Sequence, residues 1–183
     1  MHWKKGTSRV VLVVPKLGIC LKFARVQVMT ALTSTFRLMW TDRHGFSPHL
    51  VRWYWSHPAS VRLGGGRAAV FRGMLDNVRE WRYSRLLAHP VLARTYLSIG
   101  FVNVQEAVLE NPHSLTVHTR QLEDIVGWRT INDSGDLHAF SSKNFGVRDG
   151  KAVVVDYASL AMQRLLDAYA DQIHAQLDLV SPP

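Results

Sequence analysis

The residues with the most chemistry to offer lie near the C-terminal end of the chain, where Asp136 and His138 precede Asn144 and a second acid follows at Asp156. Between Asn144 and Asp156 the pair Asp149-Gly150 turns the chain back on itself, which sets the asparagine beside the second acid. Asn and Asp side chains are hard oxygen ligands of the kind that hold Mg²⁺ against nucleotide phosphates, and a further carboxylate can orient an acceptor hydroxyl. Phosphoryl transfer needs both. Two more residues fit that chemistry. Lys22 interrupts an otherwise apolar strand pattern, and Glu80 stands within a helical pattern where it can hold a phosphate-binding lysine by an ion pair. Each of these residues also has a plainer reading. Asn144 and Asp156 can cap turns, Lys22 can reach solvent from a strand, and Glu80 can pair with Arg79 or Arg82. The set carries weight jointly. His138 reads as a turn histidine, because no second histidine sits at metal-ligand spacing.

The elements that must position these groups follow from local pattern. Residues 10–14 and 19–24 are apolar, β-branched runs around Pro15, Lys16, Leu17 and Gly18, which predicts a hairpin. Residues 26–37 are ambiguous, and 40–70, with Trp53, Trp55, Pro48, Pro58 and Gly64 to Gly66, read as irregular. The span 26–73 is therefore expected to be an inserted segment. Gly64 to Gly66 lack the following Lys-Ser/Thr of a nucleotide cradle. Met74, Leu75, Val78, Trp81, Leu86 and Leu87 recur at helical spacing, which predicts a helix over 74–88 carrying Glu80. Residues 96–109 predict one or two strands, 115–128 a helix, and 145–148 with 152–155 a hairpin turning at Asp149-Gly150. The apolar series Leu160, Leu165, Leu166, Tyr169, Ile173 and Leu177 predicts a closing amphipathic helix with Ser159 as its N-cap.

Composition bounds what such elements can build. A chain of 183 residues, 47% hydrophobic, supports one compact domain or two small lobes sharing a cleft. No apolar stretch approaches the roughly 20 residues that span a bilayer, and the apolar run at 10–14 stops at Pro15 without a cleavage signature. The single cysteine, Cys20, cannot form an internal disulfide and reads as a buried strand thiol. A cytoplasmic protein with no membrane partner is the simplest expectation. The net charge of +8 draws in phosphates, nucleic acid or acidic proteins without choosing among them. Trp40 to Trp55, with Arg43 and Arg52 between them, could stack nucleobases, although such aromatics more often fill a core or an interface.

The order Lys22, Glu80, Asp136, Asn144, Asp156 resembles the protein-kinase-like superfamily, in particular its small bacterial and phage members with an Asp-Leu-His catalytic loop. The resemblance runs from Gly6 to Ala158. It implies an α+β, two-lobed, reduced kinase-like fold: residues 1–110 as a β-rich N-terminal lobe with the inserted segment and the glutamate helix, and 111–183 as a reduced C-terminal lobe. By the same resemblance Asn144 and Asp156 match the metal ligands and Asp136 the catalytic acid. Lys22 and Glu80 match the phosphate-anchoring pair, Ser8 and Arg9 lie in the phosphate-covering loop, and residues 101–110 match the hinge that meets adenine. ATP and Mg²⁺ are the implied cofactors. The chain departs from the family in two ways: Asp136 stands eight positions before Asn144, three more than is usual, and little more than one helix follows Asp156. These departures favour a pseudokinase-type modulator of a host protein. An ATP-dependent phosphotransferase acting on a small molecule or host component is the alternative, and a basic nucleic-acid binder the second.

Overall fold

The computed structural model describes residues 1–6, 8–41, 49, 52, 55, 66–133 and 140–179. Along these residues run β1 (His2–Lys5), β2 (Arg9–Val14), β3 (Ile19–Ala24), α1 (Val28–Thr41) and α2 (Gly66–Leu87). Then follow β4 (Thr95–Ser98), β5 (Val102–Glu106), β6 (Leu109–Glu110), α3 (Leu115–Val126), α4 (Trp128–Asp133), β7 (Phe145–Arg148), β8 (Lys151–Val154) and α5 (Leu160–Gln176). The class is α+β with antiparallel sheets. One sheet has five strands in the order β1-β2-β3-β5-β4, and a second has three in the order β6-β7-β8.

Local chemistry explains the turns. Pro15 opens a single 3₁₀ turn after β2, and Gly18 closes it at φ 63°, where a glycine carries no Cβ penalty. The β7–β8 turn has Asp149 at φ 52° and Gly150 at φ 76°, the two positive values that a mirror-image two-residue hairpin turn requires. Ser159 caps α5 by accepting a hydrogen bond from the Ala161 N–H, as expected.

Several boundaries differ from the sequence reading. The ambiguous stretch after residue 26 forms α1, and the glutamate helix begins at Gly66 and not at 74, bending at Phe71. Both ends of the span 26–73, expected as an inserted segment, are thus helical. Strand β1 and the short α4 had no sequence signal of their own. Asp136, His138, Trp53, Gly64 and Gly65 lie outside the described residues. No described helix is long and apolar enough to cross a membrane.

The main hydrophobic core surrounds the small sheet. Leu122 and Val126 of α3, Phe145 and Val154 of the hairpin, Tyr157, and Met162, Leu165, Leu166 and Ile173 of α5 pack together, joined by Tyr83 from α2. No residue of the five-stranded sheet belongs to this cluster. That sheet is instead sided by polarity in an unusual way. Register places Arg9, Lys22, Cys20, Asn103 and Gln105, all buried, on one face together with Val11, Val13 and Ala24, while Val10, Leu12, Val14, Ile19, Leu21, Phe23, Val102 and Val104 lie on the other with Glu106. Glu80 and Asn77 of α2 hydrogen-bond to the polar face.

Candidate functional site

Lys22 sits mid-strand on β3, and Glu80 sits in α2 where the helix crosses the sheet. Lys22 Nζ lies 3.0 and 2.9 Å from the two carboxylate oxygens of Glu80 and donates a third bond to the carbonyl of Val155 at 2.6 Å. The pairing expected from the sequence is thus present. Glu80 is wholly buried and Lys22 is 5% exposed. Asn103 Nδ2 donates to Glu80 Oε2 at 3.0 Å, which completes the carboxylate's partners on that side.

Arg9, at the start of β2, gives the site a different character from the one the sequence suggests. Its Nη1 lies 2.8 Å from Glu80 Oε1 and its Nη2 lies 2.8 Å from Asp156 Oδ1. The guanidinium therefore bridges the two acids, and Arg9 is only 6% exposed. Two cations and two carboxylates form a closed, neutral group of four. Ser8, expected with Arg9 in a phosphate-covering loop, donates its hydroxyl to Asp76 Oδ2 at 2.9 Å. Both residues turn their polar atoms toward α2, because its acids offer charged partners beneath the loop.

The electrostatics follow from these contacts. Burial pushes the Glu80 carboxyl up, while Arg9 and Lys22 oppose that rise. Burial also acts to raise Asp156, yet the charges of Arg9 and Lys22 outweigh it and hold this carboxyl well below the usual range. For Arg9 burial alone favours the neutral form, and the facing carboxylates of Glu80, Asp156 and Asp76 overcome it, so its pKa rises. Asp156 keeps an outlet to solvent, with 41% of its side chain exposed.

Asn144 and Asp156, expected from the resemblance as metal ligands, are joined through the backbone. The Val155 N–H donates to the Asn144 carbonyl at 2.7 Å, and the Asp156 N–H approaches the same oxygen at 3.4 Å. Among the described residues no three His, Cys, Asp or Glu side chains gather as a metal cluster would. The stretch expected as a hinge, 101–110, contains strands β5 and β6, and two of its amides have backbone partners inside the protein. The Glu106 N–H donates to the Arg94 carbonyl at 2.8 Å and the Ala107 N–H to the Gly18 carbonyl at 2.9 Å.

Sequence reasoning missed the polar groups that support this cluster. Asn77 Nδ2 donates to the carbonyls of Gly100 at 2.7 Å and Lys22 at 3.2 Å, tying α2 to two strands. Tyr157 donates to the Ala93 carbonyl at 2.8 Å and meets Thr95 Oγ1 at 2.7 Å, and burial pushes its phenol up to about 12. A signal for Asn103 and Gln105 was present: each interrupts an apolar alternation in 102–106, as Lys22 does in its own strand. No family model matches this chain, and it matches no curated protein and no solved structure.

Proposed function

We propose that the chain is a reduced, kinase-like two-lobed protein that serves as a pseudokinase-type module, binding a protein partner without phosphoryl transfer. A five-stranded sheet bearing Lys22, a helix bearing its partner Glu80, and a following small sheet bearing Asn144 and Asp156 support the kinase-like reading. One observation carries the non-catalytic half of the proposal. Arg9 joins Glu80 to Asp156, so the carboxylate expected to face Mg²⁺ already has its counter-cation.

A divalent cation does not fit this donor set as arranged. Placing a second cation against Asp156 beside Arg9 and Lys22 sets like charges within a few ångströms of each other, at a cost of several kcal/mol in a partly dehydrated site. The engaged amides of Glu106 and Ala107 also leave an adenine without these two edge contacts.

A thermal-shift titration tests this reading. Any ligand that prefers the folded state raises the melting temperature by mass action. ATP with Mg²⁺ is expected to leave it unchanged. A Mg²⁺-dependent rise that Asp156→Asn abolishes would overturn the proposal and favour the phosphotransferase alternative.

A further inference from the structure

The two faces of the five-stranded sheet pose a problem of cover. Strands β2 and β3 read Arg-Val-Val-Leu-Val-Val and Ile-Cys-Leu-Lys-Phe-Ala, near-continuous apolar runs of the kind found in strands buried on both sides. Only one side is covered by a described element, α2, and that side carries the polar cluster. On the other side, Leu12, Leu21 and Val104 form a cross-strand row that Trp3 and Leu97 extend to the two edges. Val10, Phe23 and Val102 make a second row, and Val14 with Ile19 a third that ends at Glu106 on β5. Trp3 and Leu97 are 58% and 51% exposed, and none of the other eight is buried. The Trp3 ring leans on Phe23 at 5.9 Å between centroids, inside the same patch.

Strand spacing and rise give this face an extent on the order of 400 Å², within the range at which exposed apolar patches mark interaction sites. Its frame is basic. Lys5 stands at the end of the second row on β1, and Lys16 projects from the turn beyond Val14, both exposed. A second copy of the chain would bring these lysines against their own equivalents and would oppose two net charges of +8. A foreign surface with acids around an apolar centre has neither conflict.

We infer that this sheet face is a docking surface for a protein partner that presents apolar side chains ringed by Asp or Glu. The inference deepens the binding role proposed above and rests on it. Its test is separate, since nucleotide titration judges the closed charge cluster while the following measurements judge the face. Contact follows sheet-face packing, with Leu12, Leu21 and Val104 at the dry centre and the lysines at the wet rim.

The free chain itself provides the experiment, with bis-ANS as an apolar anionic probe and Nile red as an uncharged one. Leu21→Lys and Val104→Lys are expected to lower the melting temperature by no more than about 4 °C, as for substitution at an open position. They are also expected to remove most of the bis-ANS fluorescence. Lys5→Glu with Lys16→Glu should weaken bis-ANS severalfold and spare Nile red. Sedimentation should give a monomer. A fall of about 10 °C or more in both lysine variants shows the face covered by the chain's own residues and overturns the inference. Unchanged bis-ANS in those variants overturns it as well. A dimer that Leu21→Lys dissociates assigns the face to a second copy, and equal loss of both dyes in the double glutamate variant removes the acidic character of the partner.

Discussion

Charge at single residues decides most of what this site can do, and it makes two measurable predictions. Glu80 is fully buried between Lys22, Arg9 and Asn103. Glu80→Gln leaves two buried cations short of a counter-charge and is expected to lower unfolding free energy by about 3–5 kcal/mol in a urea titration. Lys22→Met combined with Glu80→Leu should cost less than the two single changes added, because the members of a contact pair are coupled. Strict additivity would show that the pair contributes nothing as a pair. The second prediction concerns His118, which is buried against Phe145 at 4.5 Å between rings, with Asn111 Nδ2 3.1 Å from its Nδ1. Burial lowers its pKa to about 4. The folded pKa lies below the unfolded value near 6.5, so the unfolded chain binds the proton first as pH falls. Stability is full above about 6.5 and declines toward 4, by about 3 kcal/mol in all. His118→Phe should flatten the urea midpoint between pH 7 and pH 5, and an unaltered slope would remove His118 as its source.

Elements were legible in the sequence where their determinants are local. The β7–β8 hairpin was readable because Asp149-Gly150 dictates the turn by its own backbone preferences, and α5 because Ser159 and a regular apolar series announce it. Helix α1 was not, since its early residues Thr30, Thr33, Ser34 and Thr35 have weak helical preference and give no clear period. The edge strand β1, with every residue exposed, has no alternation to read. The Lys22–Glu80 pair was foreseeable only through its resemblance to a known arrangement. The partners of Arg9 were not legible because they lie far along the chain: it reaches toward Asn77 and Glu80 on α2 and Asp156 after β8, and nothing in its neighbours marks it. An element-scale prediction follows from Gly146, at the meeting of β6 and β7. A Cβ there would stand 2.5 Å from the Leu109 carbonyl oxygen and 2.5 Å from a Val108 methyl. Gly146→Ala should therefore separate the strands and cost more than about 2 kcal/mol. Gly127→Ala is a poor control because its φ of 79° adds strain of another kind.

At the scale of the whole molecule, two different kinds of cohesion share one chain. The small sheet and α5 are held by a continuous apolar core, whereas the five-stranded sheet meets the rest in polar bonds of Arg9, Lys22, Asn103, Thr95, Gln105 and Glu106, which are directional. Water competes for such bonds once they part, so the sheet is expected to separate at a lower free energy than the core unfolds. Cys20, the sole thiol, sits 6% exposed on the polar face beside Gln105, and burial raises its pKa. It is thereby shielded from alkylating reagents for as long as the sheet stays seated, and becomes reactive when the sheet lifts. Its labelling rate under native conditions is a stopwatch for that motion, with each 1.4 kcal/mol taken from the attachment speeding it about tenfold. Arg9→Leu should accelerate labelling at least tenfold by this relation, while Leu166→Ala, which weakens the distant core, should leave it unchanged. If both variants speed labelling in proportion to their loss of global stability, the two halves unfold as one unit, and the thiol measures the whole protein instead of its upper sheet.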